Sequence, residues 1–124
     1  MLNLLIVGLG GFLGAILRFG ISSFVAARQG PGFPLGTLLV NVLGCLAIGV
    51  LMALLELEAL SANLRLFLAV GLLGSFTTFS TFGYETIELF RDGDYQPALW
   101  SVAANLLLGL FAVLLGRALV QLAV

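Results

Sequence analysis

Between residues 75 and 82 the chain reads Ser75-Phe76-Thr77-Thr78-Phe79-Ser80-Thr81-Phe82, five hydroxyls and three phenylalanines in eight residues. The window lies mid-way along an apolar stretch of membrane-spanning character, where lipid offers no hydrogen bonds. Polar groups at that depth are costly unless they face protein or a solute path. The residue types therefore suggest passage of something small and polar. Gly71 and Gly74 weaken a helix just before the window, and the hydroxyls that follow favour side-chain bonds to backbone. Two arrangements are open. One is an intact helix whose Ser and Thr bond back to i−4 carbonyls. The other is two half-helices, with freed carbonyls suited to a cation at the end of the first and a positive dipole at the start of the second. Polar density and segment length favour the second arrangement. Phe79, Phe82 and Glu85 then recur every three residues on one face, either as core packing or as two ring edges and a carboxylate offered to a solute.

Two further polar pairs lie inside apolar segments. Thr37 and Asn41 are four apart on one helix face, as are Ser101 and Asn105. The Asn41 amide has two donors that its own helix cannot satisfy. It either ties helices together, a bond typically worth ~1 kcal/mol, or faces a solute. Gly109 follows Asn105 one turn on.

Composition sets the elements that must position these groups. Of 124 residues, 61% are hydrophobic and 9% charged, against about 25% charged in soluble domains; mean hydropathy is +1.22. A net charge of −1 and the lack of a basic patch give no sign of a nucleic-acid partner. Cys45 is the single cysteine and there is no histidine, so zinc or haem has no ligand set. Apolar residues begin at once, without a basic stretch before Arg18, so the N-terminus reads as a retained span and not a cleaved leader.

The whole chain, 1–124, reads as one four-helix transmembrane domain, all-α, with spans at about 2–26, 35–55, 63–90 and 98–122. The third exceeds the ~20 residues a straight span needs, and Pro97 suits the first turn of the fourth. Arg28 and Arg91 fall on one side of the membrane, Arg65 and Arg117 on the other. Two against two gives almost no orientational bias, with Arg18 ambiguous inside the first span. Either Arg18 weakly fixes one orientation, or the chain inserts both ways, and an antiparallel two-fold homodimer then supplies the inverted repeat that larger transporters encode internally. Four helices leave no solvated route through their own centre, so a path would lie between subunits. Gly10 and Gly14 form a small-xxx-small pair suited to close helix contact.

Catalysis finds no footing: no histidine, no base beside any serine, no paired carboxylates. The string Gly8-Leu9-Gly10-Gly11-Phe12-Leu13-Gly14 lacks the βαβ setting of a dinucleotide site, and no acidic residue precedes Glu56. Transport is left. Neutral hydroxyls, amides and aromatic edges suit a small anion that must shed water without being trapped by a fixed cation. They suit a cationic drug or a proton-coupled carrier poorly.

These residues resemble those of the Fluc (CrcB) family of fluoride channels, over nearly the whole chain. The motifs are Gly10-Gly11-x-x-Gly14-Ala15-x-x-Arg18-Phe19, Gly36-Thr37-Leu38-x-Val40-Asn41-x-x-Gly44, and Gly71-x-x-Gly74-x-x-Thr77-Thr78-Phe79-Ser80-Thr81-Phe82-x-x-Glu85. The resemblance implies a dual-topology antiparallel homodimer in a bacterial inner or plasma membrane, with a third helix broken mid-membrane. It implies two fluoride pores and a central structural sodium ion, held by backbone carbonyls of Gly74 and Thr77 from both subunits. It further implies ring edges from Phe79 and Phe82, a donor from Asn41, and a polar track through Ser80, Thr81 and Asn105. Thr37 and Glu85 match positions toward the pore's far end, and Arg18 a vestibule or anchoring position. Gly109 departs from the family, where many relatives carry a hydroxyl. Passive fluoride export is the implied activity. A small multidrug-resistance-type proton-coupled exporter is the alternative, and the first span lacks the carboxylate that class needs.

Overall fold

The computed structural model describes residues 1–124 and is helical throughout, without a strand. Helix α1 covers Leu2–Gln29 and α2 covers Leu35–Glu56. Residues 62–76 form α3, whose central Leu66–Leu73 stretch is wound as a π-helix. Helices α4 (Phe79–Arg91) and α5 (Tyr95–Ala123) follow. Between α3 and α4, Thr77 (φ −80°, ψ 160°) and Thr78 (φ −149°, ψ 112°) are extended. With the 62–91 segment counted as one, four helices are long and apolar enough to cross a membrane.

The ends follow local chemistry. Helix α1 runs through Arg28 and Gln29 and stops at Gly30, whose φ of 76° is open to glycine alone at little cost. Ser61 caps α3 by accepting the Leu64 N–H at 3.3 Å. Helix α5 begins at Tyr95, earlier than the expected 98, because Pro97 still falls in the first turn, where its missing N–H has no helical partner to lose.

Packing joins helices two spans apart. Helix α1 lies along α3, α2 lies along α5, α1 touches α2, and α4 rests on α5. Both main pairs use glycine to bring backbones together. A methyl on Gly10 would overlap the Phe67 carbonyl, and one on Gly14 the Leu72 carbonyl and the Ser75 hydroxyl. On the other pair, Gly49 meets the Val113 carbonyl and Gly116 the Leu46 carbonyl. The π-helical stretch coincides with the face pressed against α1, where Gly71 approaches the Val7 carbonyl. Only 19 of 124 residues are buried, so most apolar side chains point outward, as a bilayer solvent or a partner subunit requires.

Candidate functional site

Asn41 is the centre of the site. Its Oδ1 accepts the Thr78 N–H at 2.8 Å, and its Nδ2 donates to the Thr78 carbonyl at 3.1 Å and to Asn105 Oδ1 at 2.9 Å. One side-chain amide thus satisfies both backbone groups of the residue that opens α4. The Thr78 N–H, which a continuous helix would give to the Gly74 carbonyl, goes to α2 instead. Asn105 in turn donates to the Ser101 carbonyl at 2.9 Å, so α2, the extended segment and α5 share one polar chain. These bonds tie helices together, and Asn41 also lines the hollow described below.

The hydroxyls of the window divide by task. Ser75 donates to the Gly11 carbonyl at 2.8 Å and holds α3 to α1. Thr77 donates back to the Leu73 carbonyl at 3.2 Å. Thr78 caps α4: its Oγ1 accepts the Thr81 N–H at 3.2 Å and pairs with the Thr81 hydroxyl at 2.9 Å. Ser80 lies on the exposed surface of α4, 3.4 Å from the Thr78 hydroxyl.

An open hollow of about 400 Å³ brings most of the expected residues together. Asn41, Gly74, Thr77, Phe79, Phe82 and Asn105 all line it, joined by Thr78 and Cys45. The Phe79 and Phe82 rings stand 5.5 Å apart, tilted by 57°. Phe82 is buried, whereas Phe79 is 80% exposed, and Gly74 is exposed as well. Ser80 and Thr81 are outside the lining. Gly109 sits behind the wall, where a methyl would lie 3.4 Å from Cys45 Sγ.

Thr37 and Glu85 line a second hollow of about 500 Å³, at the end where the first and third loops lie. Ser22, Tyr84, Glu88 and Asp92 share it. Arg18 lines neither hollow; it is half-buried on α1 and has no carboxylate within ion-pair distance. No cluster of carboxylate, histidine or cysteine side chains could hold a metal. Gly74 and Thr77 both line the first hollow, among neutral oxygen-bearing residues. The sequence reading named Thr78 and Cys45 without assigning them to the site, and it passed over Thr86, which is buried on α4. For Thr86 a signal existed: it follows Phe82 at the same four-residue step that separates Thr37 from Asn41 and Ser101 from Asn105.

The chain is similar to known proteins over nearly its whole length. The family model described as "CrcB-like protein, Camphor Resistance (CrcB)" matches residues 5–117. A protein of Shewanella sp. (strain ANA-3), named "Fluoride-specific ion channel FluC", is 50% identical over 120 residues, 97% of each chain. One of the same name from Shewanella baltica (strain OS185) is 49% identical over 120 residues, again 97% of each chain. Another from Chloroflexus aurantiacus is 46% identical over 117 residues, 94% of this chain and 93% of the relative.

Proposed function

This chain belongs to the CrcB-like family of membrane channel proteins, not to an enzyme family, and from that membership we propose that it conducts fluoride passively across the membrane. The observation that carries the reading is near-full-length identity of about half to proteins named as fluoride-specific channels. The hollow supports it physically. Its polar lining is neutral, made of amides, hydroxyls and backbone, beside two tilted phenylalanine rings whose edges carry the positive part of the quadrupole. A fluoride ion can trade water for such donors without meeting a fixed cation strong enough to hold it. Phe79, Phe82 and Asn105 are the residues we assign to the anion, with Ser80 and Thr81 on the continuation of its path. Asn41 both shapes the backbone and stands beside the rings. Thr37, Glu85 and Arg18 belong to the approach from the loop side.

The extended pair Thr77–Thr78 falls near the midpoint of the 62–91 segment, so we read it as an interruption at mid-membrane. The hollow is open on one side and Phe79 is left bare, which suits closure by a second copy in antiparallel orientation. The bacterial inner membrane is the compartment this reading assigns. The Gly74 carbonyl, deprived of its helical partner, and that of Thr77 fit a hard monovalent cation bound by neutral oxygens. Those two carbonyls, with the same pair from a second subunit, would hold a structural sodium ion, which would screen the dipoles of the facing helix ends.

Purified protein in fluoride-loaded liposomes tests the function. Efflux down the fluoride gradient, without proton or drug dependence, is the expected result; liposomes silent to fluoride would overturn it. The proton-coupled exporter reading is disfavoured because α1 carries no carboxylate.

A further inference from the structure

Three buried polar side-chain atoms have no hydrogen-bond partner: Glu85 Oε2, Thr86 Oγ1 and Ser101 Oγ. Ser101 is 0% and Thr86 6% exposed. Buried hydroxyls in helices ordinarily bond back to their own i−3 or i−4 carbonyl, as Thr77 does here. These two do not.

Register puts them at one depth. Helices α2 and α5 run parallel with a fixed offset, fixed at Asn41 with Asn105 by a hydrogen bond and at Gly49 with Val113 by close approach. The same offset sets Thr37, itself buried, level with Ser101. Helix α4 turns back into α5 through the tight Asp92–Asp94 connection. Phe82 and Asn105 face the first hollow together. One turn nearer the connection on each helix lie Thr86 and Ser101. Thr37 and Glu85 open onto the second hollow. The unpartnered hydroxyls therefore lie one turn beyond Phe82 and Asn105 of the first hollow, at the level where Thr37 and Glu85 reach the second.

We propose that Thr86 and Ser101 form a further binding station for the conducted anion, inside each subunit, between the Asn41–Asn105 chain and the loop-side hollow. This rests on the fluoride reading above. Two hydroxyl donors without protein acceptors call for a ligand that accepts hydrogen bonds and is about the size of a water molecule, and fluoride in partial hydration meets both demands. Glu85 Oε2, an acceptor lacking a donor, is then served by the ion's remaining water.

Thr86→Val and Ser101→Ala remove the donors at nearly constant volume, and Thr86→Ser keeps one. Flux from liposomes is measured beside the melting temperature of the detergent-solubilised protein. A station of this kind predicts that Val and Ala each slow fluoride flux by about tenfold, that Thr86→Ser conducts near the wild-type rate, and that melting is unchanged or raised. Valine and alanine variants that conduct normally, with wild type active, would overturn the station and leave the channel reading intact. Slow flux accompanied by a lowered melting temperature in every variant, Ser included, would overturn it as well, since it would mark a structural role. Silent wild type would remove the channel reading first.

Discussion

Asn41 shows how much one amide can settle. Thr78 has no helical partner for its N–H, and water is not at hand in a membrane, so both of its backbone groups are paired by a single side chain. An unpaired buried backbone group costs ~1–3 kcal/mol. Asn41→Ala leaves two of them, whereas Asn105→Ala removes only a link between side chains and one carbonyl bond. Thermal melting of the solubilised protein should therefore fall clearly more for Asn41→Ala than for Asn105→Ala. Equal losses would mean that Thr78 finds other partners. The sequence could flag Asn41 as an unsatisfied amide. It could not say which residue it meets, because that partner lies 37 positions away and depends on how α2 is placed against the extended segment.

At the level of helices, the spans were readable because the bilayer excludes almost every alternative to a helix. Glycine spacing pointed to close packing without naming the surfaces. The structure assigns Gly10 and Gly14 to the seam between α1 and α3, within one subunit. Gly14→Val should force that seam apart and release the Ser75 bond to Gly11, at a cost of ~1–3 kcal/mol for overpacking. Gly8 has nothing within 4 Å of an added methyl, so Gly8→Val is the matched control. Parallel melting curves for the two variants decide the matter, and equal stability would contradict the seam. The π-helical turns of α3 had no sequence signature of their own. Leu66–Leu73 reads as an ordinary apolar helix, and only its company with α1 distinguishes it.

For the molecule as a whole, loop charge is the controlling quantity. Arg91 pairs with Glu88 at 2.7 Å and Arg117 with Glu56 at 2.8 Å, both at exposed ends, so neither loop side gains a surplus of free cations. If function needs both orientations, tilting the balance should abolish it. Ala27→Arg with Gln29→Arg biases the first loop; Ala59→Arg with Gln121→Arg biases the opposite side. Each doubly substituted chain expressed alone should lose fluoride flux, and co-expression of the two should restore it. Full activity from either one alone would show that a single orientation suffices.

The pairing of helices two spans apart also governs when the chain can settle during synthesis. The extensive neighbour of α1 is α3, and that of α2 is α5, the last helix made. Asn105 reaches Asn41 only once α5 has been built. Until the ribosome finishes, α2 is without its main companion, while α1 and α3 can already close their glycine seam. The bundle therefore closes in two halves, the α1–α3 half first and the α2–α5 half last.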